Sequence, residues 1–358
     1  MHSGDLLTDE TEELNDVEEI IVTASKRESK IEDLPMSVQA IAGSRLESAN
    51  VNDFMDYAEL IPSLSYIQYG PGRSAFYIRG TSDGNFGNLA GPNTTVAMYI
   101  DESPINTVGL NPDLHIYDME RIEVLKGPQG TLSGRNAVQG LVNIVSARPT
   151  SEWGGSFDVA AGNYNSTRSN LMLNMPFSDR VAARLSYSMF ERDGTIENIY
   201  TGNDIDGRDA YGIRLSVDFD ISETTKIEFT HDRSETEDNR QNIGIIVCEP
   251  HPVFGCNPLE RGTFGQSADT RGSTAALFNF IAGLNSTADS NSYAGINALG
   301  SLEKVNINRD PEHRQVFEFT MLELNHDISD ELQLVVKGTY STRDYYHMGD
   351  NDYNVAVN

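Results

Sequence analysis

Glu120 to Ser146 reads ERIEVLKGPQGTLSGRNAVQGLVNIVS. A β-prone run, Ile122 to Lys126, enters a Gly-Pro turn at Gly127 and Pro128, and a second apolar run, Leu141 to Ser146, leaves a glycine-spaced loop. Gly127, Gly130, Gly134 and Gly140 permit the sharp turns and close backbone approach that such a loop needs. A phosphate-binding loop requires Gly-Lys-Ser/Thr at the start of a helix, and Gly134-Arg135-Asn136 does not supply it.

Upstream, the chain mixes short strands with short helices. Ile20 to Ala24, Ser37 to Ile41, Leu64 to Gln68, Ala75 to Arg79 and Val96 to Ile100 read as strands. Ser44 followed by Glu47 fits a capping box. Asn52 can cap a second helix, which Pro62 ends. Together with the quoted stretch these make one small α+β domain of about 125 residues.

After Pro149 the period changes to two. Tyr211, Ile213, Leu215, Val217 and Phe219 alternate with polar residues, as do Ala183, Leu185, Tyr187 and Met189. Leu332, Leu334, Val336, Gly338 and Tyr340 repeat the pattern, with weaker examples at Phe157 to Ala161, Leu171 to Met175, Ile227 to His231 and Phe317 to Met321. PFSDR, DISET and HDISDE read as tight turns, whereas Arg192 to Arg208 and Ser234 to His313 are long loops. Short turns on one side and long loops on the other match a transmembrane β-barrel. A soluble antiparallel sandwich also alternates. Aromatic residues near strand ends, among them Trp153, Tyr164, Phe177 and Tyr200, favour the barrel.

Composition agrees. The 358 residues carry 54 acids against 26 bases, a formal net charge of −28, so a nucleic-acid partner is a poor match. Mean hydropathy is −0.40. No run approaches the ~18 apolar residues of a membrane helix. The start, MHSGDLLTDETEELNDVEE, lacks a basic and apolar leader, and its acidic stretch from Asp5 to Glu19 should stay solvated. Cys248 and Cys256 are either two free thiols or one disulfide closing a small loop; a metal site there lacks a fourth ligand near His251. Asp204, Asp206 and Asp209 do not fit a calcium loop, because Gly207 is misplaced. There is no HExxH or GxSxG, and nothing points to an enzyme or a cofactor.

The stretch from Glu120 to Ser146 closely resembles the plug domain of TonB-dependent outer-membrane receptors. The resemblance is supported by Glu19 to Ala24 (EIIVTA), Pro35 to Ile41 (PMSVQAI), Leu60 to Leu64 (LIPSL), Ile78 to Gly80 (IRG) and Val96 to Pro104 (VAMYIDESP). Departures are Ser133 and Gln139, and Glu102 where the family commonly has Gly. It implies a disordered acidic N-terminus at 1–18, a Ton box at 19–25, a plug at 26–148 and the N-terminal portion of a β-barrel at 149–358. About seven strands of the ~22 in a plugged barrel are then present, which reads as a piece of a larger receptor.

What the resemblance implies for function is uptake of a scarce ligand, most simply a ferric siderophore or similar chelate, in the outer membrane with the N-terminus in the periplasm. The alternative is a truncated, transport-incompetent fragment acting as a soluble periplasmic plug module. Implied partners are the TonB protein of the inner membrane, an extracellular small molecule and outer-membrane lipid. Ile20, Ile21, Val22, Thr23 and Ala24 would bind TonB by strand addition; an ordinary first strand is the other reading. Arg79, Glu120, Arg121, Glu123, Lys126 and Arg135 would lock the plug to barrel-wall charges, or else be solvated surface. Tyr69, Arg73 and Phe86 would meet ligand, or serve only as turn residues.

Overall fold

The computed structural model describes residues 21–23, 29–34, 36–49, 51, 54–68, 74–82, 95–105, 111–112, 114, 117–134, 136–240, 303–305 and 307–349. The N-terminal unit opens with β1 (Ile21–Val22) and β2 (Ser29–Lys30), which pair antiparallel. Next come β3 (Ser37–Ala42), α1 (Gly43–Ser48), α2 (Phe54–Glu59) and a small sheet of β4 (Leu64–Gln68), β5 (Ser74–Ile78) and β6 (Thr81–Ser82). β7 (Val96–Ile100), β8 (Ser103–Pro104), β9 (Met119–Lys126), α3 (Gly130–Ser133) and β10 (Gly140–Ser146) complete it. Its main sheet has the order β3-β9-β10-β7-β8, with β10 and β7 parallel.

Both faces of that sheet are covered, so its strands read as continuous apolar runs rather than alternating ones. On one face Ile122, Val124, Val142 and Ile144 pack with Leu46, Tyr57 and Ile61 of the helical segment. On the other, Leu125, Leu141, Ala97 and Tyr99 pack under Val22 of β1. Gly140 has φ +150, and a Cβ there would overlap the Leu125 carbonyl oxygen, so the strand pair closes only on glycine. The expected capping box is corrected: α1 begins at Gly43 with Ala42 as its cap and no side-chain capping bond. Its start is set by packing instead, since a Cβ at Gly43 would overlap the Met119 carbonyl oxygen.

The wall is a seven-stranded antiparallel sheet. It comprises β11 (Gly154–Ala161), β12 (Thr167–Ser178), β13 (Val181–Arg192), β16 (Arg208–Ser222), β17 (Thr225–Asp238), β19 (Glu312–Ser329) and β20 (Leu332–Met348), in that order. Two-residue links join β12 to β13, β16 to β17 and β19 to β20; the other ends carry the long loops. There β14 (Ile196–Asn198), β15 (Asn203–Ile205) and β18 (Lys304–Val305) form a small sheet joining two loops. Asp310 fixes that junction by accepting hydrogen bonds from Asn198, Thr201 and Asn203. Asp206 is held by Arg192 and Arg208, so the acidic loop is neutralised by arginines. Among the described residues β11 and β20 each pair on one side only, and the sheet is not closed.

Register sorts the wall's two faces. Leu173, Leu185 and Leu215 align on the outer face, as do Phe219, Ile227, Leu324 and Val336. Arg184 and Ser216 align on the inner face, as do Asp218, Glu228, Glu323 and Lys337. β19 departs from this pattern. Phe317, Phe319 and Met321 point inward and join the apolar core of the N-terminal unit. The alternation there inverts because the inner neighbour is a protein core rather than water. No helix among the described residues is long and apolar enough to cross a membrane, which says nothing of a β-barrel.

Phe319 is 1% exposed at this junction. Phe319→Ala should lower stability by about 3–5 kcal/mol. A urea midpoint unchanged from the parent chain would show that β19 does not share the core of the N-terminal unit.

Candidate functional site

The site is the boundary between the N-terminal unit and the wall, with the seat of the first strand beside it. The seat is built on β9 and β10. Glu123 is fully buried, and a buried carboxylate persists only when paired and hydrogen-bonded. Its Oε1 accepts from the Thr23 backbone N–H at 2.9 Å and from Arg121 Nε at 2.8 Å; its Oε2 accepts from Asn143 Nδ2 at 3.3 Å. Arg121 also pairs with Glu120 and donates to Thr23 Oγ1 at 3.4 Å. Val22, with no exposed surface, seals the seat. Burying a valine and one charge-assisted bond together hold the segment by about 3–6 kcal/mol. A two-residue ladder adds little.

Three acids reach the wall. Asp118 sits between two arginines: Arg184 Nε donates to its Oδ2 at 2.8 Å, and Arg214 Nη2 lies 3.7 Å from the same oxygen. Ser186 donates to it as well, and Arg214 donates to the Tyr117 and Asp118 carbonyls. Burial opposes ionisation of Asp118. The hydrogen bond from Arg184, the charge of Arg214 and the bond from Ser186 outweigh it and hold the carboxyl below its ordinary value. The second contact is the β7–β8 turn. Lys337 Nζ donates to the Asp101 carbonyl at 2.8 Å, lies 3.4 Å from Glu102 Oε2 and pairs with Glu323 of the wall at 2.9 Å. Asp101, Glu102 and Asp118 all hold positive φ, at 46°, 63° and 52°. Non-glycine residues there cost about 1–2 kcal/mol each, so the wall contacts coincide with stored backbone strain.

A third anchor follows β10. Arg148 donates to Asp218 and Thr230, each at 2.8 Å. Between these anchors lies a charged cleft of about 1190 Å³, lined by Thr23, Glu120, Arg121, Arg148, Lys226 and Lys337 among others. It reaches Asp179, Arg180, Glu223 and Thr224 at the tight turns. Toward the long loops, the inner face carries His313 and His347 side by side, their Nδ1 atoms 2.7 Å apart, and Arg343 over the Tyr345 ring. Among the described residues no three His, Cys, Asp or Glu side chains converge as a metal site.

Of the residues expected in the lock, Glu120, Arg121, Glu123 and Lys126 lie on β9. The partners of Glu123 all belong to its own unit, and Lys126 donates to Gln39. Arg79 is exposed, with φ 55, at the end of β5. Bonds that join the unit to the wall run through Asp101, Glu102, Asp118 and Arg148; of these the sequence marked only Glu102. Two adjacent acids at a tight turn, in place of a glycine, were the available signal. Gly127 and Gly134 hold positive φ in the β9–β10 connection, where the Gly127 N–H donates to the Gln139 carbonyl. Pro128 follows Gly127 in that turn, and Gly130 opens α3. Ile20, Ala24, Tyr69, Arg73, Phe86, Arg135, Cys248 and Cys256 lie outside the described residues, as does the side chain of Ile21.

Residues 30–141 match the family model for the TonB-dependent Receptor Plug Domain. The chain is 29% identical over 159 residues to a ferripyoverdine receptor of Pseudomonas aeruginosa, covering 44% of this chain and 19% of that protein. It is 30% identical over 203 residues to a pesticin receptor of Yersinia pestis, covering 55% and 28% respectively. The chain thus spans less than a third of the length of these relatives. Among solved structures, the ferric yersiniabactin uptake receptor FyuA from Yersinia pestis superposes with a TM-score of 0.66 at 19% identity, covering 88% of this chain and 42% of that one. That likeness concerns the fold.

The sign of the Asp118 effect is fixed by its depressed folded value. The bond adds stability above the unfolded value near 3.8 and loses it as pH falls through the folded one. Urea midpoints measured across pH should therefore drop in acid for the parent chain. Asp118→Asn should cost about 3 kcal/mol at neutral pH and flatten that acid limb. An unchanged acid limb in the variant would remove Asp118 from the account.

Proposed function

We propose, for a chain that belongs to the TonB-dependent outer-membrane receptors, that it takes up a scarce ligand, most simply a ferric chelate, when TonB draws out its first strand. The observation that carries this reading is the seat of Val22 and Thr23. An extended segment held by one buried side chain and the bonds of Thr23 to Glu123 and Arg121 is firm at rest yet removable by a modest pull. Thr23 lines the charged cleft, so its withdrawal widens a polar route that already reaches the tight turns. In outer-membrane barrels those turns face the periplasm.

The removed strand offers its backbone to a partner's sheet edge, which gives affinity without a rigid pocket. The ligand arrives from the long-loop side. There Arg343 supplies positive charge, and Tyr345 and His347 supply ring surface, for an anionic, aromatic-bearing chelate. The relatives' names, ferripyoverdine, ferric-pyoverdine and catecholate siderophore receptors, support this ligand class. The outer face of the wall, with Phe157, Leu173, Ile213, Leu322 and Tyr340 exposed, suits lipid.

Val22→Pro should abolish TonB-dependent uptake of a labelled ferric chelate while leaving its binding to the cell surface within about two-fold. Uptake at the parent rate by that variant would refute the role of the first strand.

A further inference from the structure

One side chain touches both the seat of the first strand and the turn that meets the wall. Asn143, on β10, is 2% exposed and lies in register with Glu123 on β9 and Tyr99 on β7. Its Nδ2 donates to Glu123 Oε2 at 3.3 Å, and its Oδ1 accepts from the Glu102 backbone N–H at 3.1 Å. The bonds form an unbroken series. The Thr23 N–H meets Glu123, Glu123 meets the Asn143 amide, Asn143 meets Glu102, and Glu102 with the Asp101 carbonyl meets Lys337 on β20.

We propose that Asn143 is the positioning residue that transmits withdrawal of the first strand to the wall, releasing the Lys337 contact. The chemistry requires an amide at this position. A carboxylate on one side needs a donor, and a backbone N–H on the other needs an acceptor; a primary amide supplies both on one planar group. When Thr23 leaves, Glu123 loses one partner of its Oε1, and its buried charge draws more strongly on those remaining, Arg121 and Asn143. A shift of the Asn143 amide toward Glu123 takes its oxygen away from Glu102. Glu102 stands at φ 63, a conformation costly for a side-chain-bearing residue, so the turn is poised to relax once that bond weakens. Relaxation withdraws the Asp101 carbonyl and the Glu102 carboxylate from Lys337, which keeps Glu323 as its partner within the wall. The strain in the turn thus assists opening.

The inference rests on the proposed function for its purpose, but its test does not need TonB. The readout is the acylation rate of the Lys337 amine in the full chain in detergent, followed by mass spectrometry. Thr23→Pro removes the N–H that Glu123 accepts; Thr23→Ser retains it. Thr23→Pro should raise the Lys337 rate at least about five-fold, the lower end of ordinary coupling between sites, and Thr23→Ser should leave it unchanged. Asn143→Ala should raise the rate by a similar factor, and adding Thr23→Pro to it should give no further increase. A Lys337 rate insensitive to Thr23→Pro, or equal multiplicative effects of Thr23→Pro with and without Asn143→Ala, would overturn the proposal. Thermal midpoints of all variants separate local release from general unfolding, since unfolding would raise the rates of every lysine together. If the parent chain shows this coupling but no TonB-dependent uptake, the functional reading fails and the relay stands.

Discussion

A carboxylate with no exposed surface is the constraint on which the rest of this structure depends. Glu123 stands in the middle of a sheet strand whose neighbours are apolar, and removing its partners would leave a buried charge at a cost of several kcal/mol. It is satisfied by Arg121 from its own strand, Asn143 from the next and the Thr23 N–H from a segment 100 residues away. The same charge that makes the sheet demanding therefore holds Thr23, at the end of the first strand. A neutral apolar residue there would leave the first strand without the bond to Thr23, held by the burial of Val22.

The boundary with the wall follows a related logic. The inner face of the wall is polar, so the N-terminal unit meets it with Asp118 between two arginines, the Asp101 carbonyl and Glu102 on Lys337, and Arg148 on Asp218, and among the described residues its apolar core takes in Phe317, Phe319 and Met321 of β19. A wholly apolar boundary would bind the two units permanently. A wholly charged one, exposed to water in the cleft, would contribute little. The mixture gives a dry contact at Phe317 and Phe319 and polar contacts elsewhere, which is the arrangement expected of a part that must stay attached while another portion moves. Strained residues at Asp101, Glu102 and Asp118 place the polar contacts where relaxation is favourable once they break.

Much of the fold was legible in the sequence because it rests on local signals. All seven long strands of the wall announce themselves by period-two alternation, and the tight turns between them by their Ser, Asp and Glu content. The segments Leu64 to Gln68 and Val96 to Ile100 coincide with β4 and β7. The reading fell short where a distant partner decides the outcome. Ser44 did not cap α1, because Gly43 must pack against the Met119 backbone. The inward turn of Phe317 and Phe319 depends on a domain more than 150 residues upstream. The wall-contacting acids carry no periodicity at all; only the unusual Glu102 in the segment IDESP marked their place. The residues expected in the lock cluster on β9, where Arg121 pairs with Glu120 and Glu123 of the same strand.

The most direct test of the docked and releasable first strand is hydrogen exchange at the Thr23 amide, which donates to Glu123. In the chain alone this amide should be protected well beyond a free chain, and, on the proposed function, addition of the periplasmic domain of TonB should replace that protection with exchange characteristic of the partner's sheet. Free-chain exchange at Thr23 in the chain alone would contradict a docked first strand.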